Sequence, residues 1–194
     1  MASPKIGDLA LQGDVAEHIA AFEACGVDAT PVRFPAELAA VDAMALPGGE
    51  STTMSRLLRV FKLERPLKER LREGMPSFAT CAGMILLSRA ITDGREGQTG
   101  FGELDIAVRR NGYGRQLDSF EADIDLPAIG AEPYRAVFIR APVVEDVGPK
   151  AEVLAELDGC PVAVAQGPHL AFAFHPEMTD DVRLHRLFLE RIKR

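Results

Sequence analysis

The chain has 194 residues, 47% hydrophobic and 26% charged, with 22 basic against 29 acidic side chains and a net charge of −7. That length and balance suit one soluble globular domain with a sizeable core. They argue against a nucleic-acid partner, which would call for a basic face. No apolar run approaches the roughly 20 residues a membrane helix needs, and the start, Met1-Ala2-Ser3-Pro4-Lys5, has no signal-peptide layout, so a cytoplasmic location is the expectation.

Strand-like and helix-like segments alternate through the first half. Residues 5–11 read as a strand, followed by Asp14 and Glu17, which resemble a capping box opening a helix. Val15, Ile19 and Phe22 keep helical spacing, and Gly26 can end the segment. Residues 28–33 and 42–46 give two further strands. The loop Pro47-Gly48-Gly49-Glu50-Ser51 leads into a helix bearing Met54, Leu57, Leu58 and Phe61. Pro66 is read as starting the next helix, which stops near Gly74. A strand at 76–80 meets Cys81 and a helix follows it. This alternation predicts an α/β fold, a parallel sheet covered on both faces, with ligands at the carboxyl ends of its strands.

Residues 92–102 are glycine-rich and read as a surface excursion within a single domain spanning 1–194. Strand-like segments follow at 104–109, 119–125, 134–139, 152–157, 161–166 and 170–174, some paired antiparallel across short turns. The last helix is expected to have Thr179 as its N-cap, Asp180 and Asp181 in its first turn, and Arg191, Lys193 and Arg194 in its last.

Three cysteines, Cys25, Cys81 and Cys160, at wide spacing fit neither a disulfide framework nor a zinc site. Cys81 stands apart. Pro76-Ser77-Phe78-Ala79-Thr80-Cys81-Ala82-Gly83 describes a nucleophile elbow, a tight strand-to-helix turn that lifts the sulfur out of the sheet. The start of a helix, with its free N–H groups, favours the thiolate there. Of four histidines, His18 and His185 lie on helices and read as solvated or packed, and His169 in its turn as exposed. His175 ends the apolar strand Leu170-Ala171-Phe172-Ala173-Phe174, and Glu177 follows two residues later. Cys81, His175 and Glu177 therefore supply a nucleophile, a base and an acid that fixes the base. Oxyanion donors are expected from the N–H of Ala82 and from the Gly48-Gly49 loop, which lacks the layout of a phosphate-binding loop.

With those segments in view, the chain resembles the class I (triad-type) glutamine amidotransferases. Within them it is similar to the glutaminase subunits of bacterial pyridoxal 5′-phosphate synthase. The resemblance rests on Leu9-Ala10-Leu11-Gln12-Gly13, Leu46-Pro47-Gly48-Gly49-Glu50-Ser51-Thr52-Thr53-Met54 and Thr80-Cys81-Ala82-Gly83. It continues through Arg110-Asn111, Gly114-Arg115-Gln116, Ser119-Phe120-Glu121, Val137-Phe138-Ile139-Arg140-Ala141-Pro142 and Phe174-His175-Pro176-Glu177. It implies a three-layer, flavodoxin-like sandwich with a mostly parallel central sheet, and hydrolysis of L-glutamine through a cysteine thioester without cofactor or metal. The ammonia would pass to a PdxS-type synthase subunit in a large hetero-oligomeric complex. By the same resemblance Cys81, His175 and Glu177 are catalytic, and Gly49, Glu50, Ser51, Arg110, Ile139 and Arg140 contact glutamine. Gly49 and Ala82 would form the oxyanion hole, and Gln12 and Gly13 would lie near it and near the synthase contact. Asp8, Ala79, Glu103, Gly112 and Val143 depart from the family's usual residues. Read by residue chemistry alone, a glutaminase of another pathway, such as imidazole glycerol phosphate synthase, a cysteine peptidase of related fold and a non-catalytic amidotransferase-like binding protein stay open.

Overall fold

A computed structural model describes residues 3–98, 100–110 and 119–192. The predicted alternation appears as β1 (Ile6–Leu9), α1 (Val15–Ala24), β2 (Ala29–Val32), the single-turn α2 (Pro35–Leu38) and β3 (Ala43–Leu46). Then come α3 (Ser51–Val60), α4 (Glu64–Arg72), β4 (Ser77–Thr80) and α5 (Ala82–Leu87). The strand-rich half holds β5 (Ser88–Ile91), β6 (Leu104–Arg109), β7 (Ser119–Ile124), β8 (Tyr134–Ile139) and β9 (Val143–Val147). It closes with β10 (Glu152–Leu157), β11 (Cys160–Gln166), β12 (His169–Phe172) and α6 (Arg183–Ile192).

The central sheet has seven strands in the order β10-β11-β12-β4-β3-β1-β2. β2, β1, β3, β4 and β12 run parallel, and β11 and β10 extend the edge antiparallel. The parallel part is the doubly wound order 2-1-3-4-5, with β12 as the fifth strand. Strands buried on both faces read as continuous apolar runs, and β3 (Ala-Met-Ala-Leu) and β12 are fully buried. Two smaller sheets, β5-β6-β9 and β7-β8, complete the α/β architecture.

The helices fall into two sets. Phe22 of α1 meets His185 and Phe188 of α6, and Phe78 of β4 points into the same cluster. On the other side α3 packs on α4 and α5, and α2 on α4. Among the described residues no helix is long and apolar enough to cross a membrane. Cys25 and Cys160 are free and half-buried.

Several local expectations need correction. Asp14 occupies the N-cap of α1 without making a side-chain capping bond. α4 begins at Glu64, two residues before Pro66. α6 begins at Arg183, so Thr179, Asp180 and Asp181 precede it. The Asp181 side chain, two residues before it, accepts the Arg183 N–H at 3.1 Å. Strand β5 continues directly from α5 and β9 follows β8 after three residues, and the sequence pattern missed both. Lys193, Arg194 and all of the 111–116 motif segment, Gly112 included, lie outside the described residues.

Candidate active site

The doubly wound order sets where the site lies. Connections from β1 and β3 leave in opposite directions, opening a crevice at the carboxyl edge between them. The loops after β1, β3, β4 and β12 all end there, and they carry Gln12–Asp14, Gly48–Ser51, Cys81 and His175.

Cys81 joins β4 to α5 with φ of 47° and ψ of −101°. A non-glycine residue in the left-handed region costs about 1–3 kcal/mol and persists only where the surroundings enforce it. Here the Cys81 N–H donates to the Phe172 carbonyl at 2.8 Å, locking the elbow to β12. The thiol is 6% exposed and its Sγ lies 3.9 Å from the Ile139 carbonyl oxygen.

His175 leaves β12 in a buried position, its N–H held by the Val137 carbonyl at 2.8 Å. Its Nδ1 is 2.7 Å from Glu177 Oε1, which sits in a short 3₁₀ turn and is itself buried. A second carboxylate, Asp14 Oδ2, stands 3.3 Å from the same nitrogen. Burial disfavours the charged ring, but the neighbouring Asp14, Cys81 and Glu177 side chains outweigh it and push His175 up to about 12. Nε2 makes no hydrogen bond of normal geometry and is the nitrogen left for the thiol. The His175 hydrogen bond is also the largest factor holding the Asp14 carboxyl below its usual range.

Two glycines make this approach feasible. A Cβ on Gly48 would come within 2.3 Å of His175 Cε1, and one on Gly13 within 1.8 Å of the Gly48 carbonyl oxygen. Gly13 also has φ of 107°, which L side chains rarely adopt. The loops after β1 and β3 are thereby pressed together, and Gln12 Oε1 accepts the Glu50 N–H at 2.7 Å.

A cavity of about 690 Å³ opens beside the sulfur, lined among others by Gln12, Gly49, Glu50, Arg110, Ile139 and Arg140. Gly13, Asp14, Ser51, Cys81 and His175 also border it, and Ala82 is buried directly behind Cys81. The residues expected in the site thus fall at or next to one cavity, apart from Glu177, which lies beneath His175.

The carboxylate of Glu50 is engaged as the cap of α3, accepting from the Thr52 and Thr53 N–H groups at 3.0 and 2.7 Å. Burial opposes its charge, but these bonds and the Thr53 hydroxyl draw it down to about 2. Arg110 is held by Thr52 Oγ1 at 2.5 Å and Gln98 Oε1 at 2.8 Å, with Asp93 Oδ1 3.8 Å from its Nε. Arg140 has φ of 45° and is exposed at the rim.

Sequence reasoning missed four contributors. Asp14 passed for a helix cap. Gln98, in the glycine-rich excursion, is buried and donates from Nε2 to Ser51 Oγ at 2.9 Å while holding Arg110. Thr52 shares that network. His18 is wholly buried, with Nε2 3.4 Å from Glu177 Oε2. His169, expected exposed, is buried against Ser77 Oγ at 2.8 Å, and His185 is packed, as one of its two readings had it. Asp14, His175 and Glu177 could geometrically surround a cation. Their short carboxylate–imidazole contacts already satisfy Nδ1, which fits a proton-transfer role better.

The sequence profile of the SNO glutamine amidotransferase family matches residues 8–194. A Parafrankia sp. protein named pyridoxal 5′-phosphate synthase subunit PdxT is 54% identical over 193 residues, covering 100% of this chain and 95% of that protein. An Acidothermus cellulolyticus protein of the same name is 56% identical over 194 residues, covering 97% of this chain and 94% of its own. A crystal structure described as a glutamine amidotransferase superposes with a TM-score of 0.91 at 45% identity, covering 97% of this chain and 99% of that one. The chain belongs to the SNO glutamine amidotransferase family.

Proposed function

We propose that this protein is the glutaminase subunit of a pyridoxal 5′-phosphate synthase. It hydrolyses L-glutamine to L-glutamate and ammonia and passes the ammonia to a PdxS-type synthase subunit. The observation that carries the reading is the meeting of Cys81, His175 and Glu177, from distant parts of the chain, at one edge of the sheet beside an arginine-lined cavity. The names of the full-length relatives supply the pathway.

In this mechanism His175 Nε2 takes the thiol proton and Cys81 Sγ attacks the side-chain amide carbon of glutamine. The N–H groups of Ala82 and Gly49 hold the oxyanion. Collapse of that intermediate forms a thioester and expels ammonia, which takes the proton from His175. Water, deprotonated by His175, then releases glutamate from the sulfur. Glu177, on Nδ1, keeps the ring in the tautomer that serves both transfers and stabilises the imidazolium between them. Arg110 and Arg140 suit the α-carboxylate of the substrate, while Ser51, Glu50 and Ile139 shape the pocket. Gln12 and Gly13 join the synthase contact to the oxyanion loop. The same proposal takes residues 1–194 as one amidotransferase domain working in the cytoplasm within a hetero-oligomeric complex.

The test is glutamate release measured with and without a PdxS-type synthase. Activity that depends on the synthase and disappears in Cys81→Ala is expected. Full activity in Cys81→Ala, or indifference to the synthase, would refute it.

A further inference from the structure

Outside the three residues of the proposed triad, one buried titratable side chain touches them from the opposite side. His18, on α1, has 0% exposure. Its Nε2 lies 3.1 Å from Thr80 Oγ1 and 3.4 Å from Glu177 Oε2, and its Nδ1 has no hydrogen-bond partner among the described residues. The rings of Phe78 and His185, each 5.9 Å away, are its other neighbours. Burial lowers the pKa of His18, so the ring is neutral and carries a single N–H. Among the described residues acceptors face Nε2 alone, which places the proton there, against the Thr80 hydroxyl and 3.4 Å from the Glu177 carboxylate.

Glu177 needs such a neighbour. Oε1 is committed to His175 at 2.7 Å, whereas Oε2 has no properly aligned hydrogen bond among the described residues. A carboxylate fixed at one oxygen can still swing about its own axis. Thr80 immediately precedes Cys81, so the contacts His175–Glu177–His18–Thr80 close back on the strand that carries the sulfur. Asp14, one helical turn before His18, meets His175 Nδ1 at 3.3 Å, so one face of α1 grips both members of the pair.

We propose that His18 is a positioning residue for the glutaminase reaction. Its Nε2–H restrains the second oxygen of Glu177 and ties it to the elbow strand, which keeps Oε1 on His175. The inference rests on the reading of Cys81, His175 and Glu177 as the catalytic triad.

The experiment compares His18→Gln, His18→Asn and His18→Leu. The glutamine amide nitrogen falls near the place of Nε2, the asparagine amide near that of Nδ1, and leucine offers no donor. Two readouts are used: steady-state glutaminase kinetics with the synthase, and the pH profile of Cys81 alkylation by iodoacetamide in the isolated subunit. Removing an outer partner that orients a working histidine costs on the order of 10–100-fold. That loss is expected in kcat for the leucine and asparagine variants, with KM for glutamine within about twofold of the parent. Their alkylation profiles should move to higher pH, and His18→Gln should restore most of both.

Equal losses in His18→Gln and His18→Asn, full activity in His18→Leu, or a loss confined to KM would overturn the proposal. Should leucine fail to fold, the Gln–Asn comparison decides. Should the parent release no glutamate with its synthase, the function reading fails, while the alkylation profiles still report on His18.

Discussion

Asp8 is the sharpest conflict between this chain and its fold. It lies in β1, between Pro31 of β2 and Ala45 of β3, with 0% exposure. Neither carboxyl oxygen has a hydrogen-bond partner among the described residues. Burial first, then the charges of Glu177, Asp14 and Glu17, hold its pKa well above the usual range. A buried polar group left unsatisfied costs about 1–3 kcal/mol even when neutral. Asp8→Val removes that cost with a side chain of similar volume that suits a strand, so a gain of about 2 kcal/mol is expected at pH 5, where a protein of this size gains roughly 4–8 °C in Tm. The gain should grow with pH. Above the ordinary carboxylate range the unfolded chain releases the Asp8 proton while the folded chain retains it. Wild-type stability therefore falls, relative to the variant, by up to about 1.36 kcal/mol per pH unit until the folded pKa is reached. Asp8→Asn separates the two effects, because it keeps the unmet polar group and loses the titration. Denaturant unfolding of all three proteins at pH 5 and 8 checks this. A valine variant less stable than wild type at pH 8, or a gap between them that does not change with pH, would refute the reasoning.

Gly48→Ala forces a methyl to within 2.3 Å of His175 Cε1. Displacing the base by about 1 Å costs on the order of 100-fold in kcat, and a loss under about threefold would contradict the crowding. Gln98→Leu removes the bonds to Ser51 and Arg110. KM for glutamine should rise about tenfold with kcat little changed, and steady-state kinetics separate the two. His185→Phe replaces a neutral imidazole, with neither nitrogen paired among the described residues and held by burial at about 3, among Phe22 and Phe78. Below pH 6.5 the unfolded histidine takes up a proton that the folded one refuses. Wild type should therefore weaken against the variant by up to about 1.36 kcal/mol per unit as pH falls from 6.5 to 4. An identical gap at pH 7 and 5 in chemical denaturation would count against it.

What the sequence reveals here depends on how far apart the interacting groups lie along the chain. Strands β1, β3, β4 and β12 were legible because short, mostly apolar segments, interrupted in β1 by Asp8, mark burial on both faces, and that burial is a local property. Cys81 and His175 were legible for a related reason, since each carries a reactive side chain at or just past the end of such a strand. Asp14 shows where local reading stops. Asp-x-x-Glu before an apolar helix is a sound capping signal, yet the carboxylate is drawn to His175, which only the sheet order brings within reach. The polar partners of Gln98 and His18 were missed in the same way: one residue sits in a glycine-rich loop, the other packs on a helix as one of its readings had it, and neither pattern discloses a polar partner from a distant element. Once β2-β1-β3-β4-β12 is known, however, the loops after β1, β3, β4 and β12 share one edge, and α1 must start beside His175. The missing information was thus the order of the strands, and the polar contacts that look like exceptions to the sequence pattern are consequences of that order.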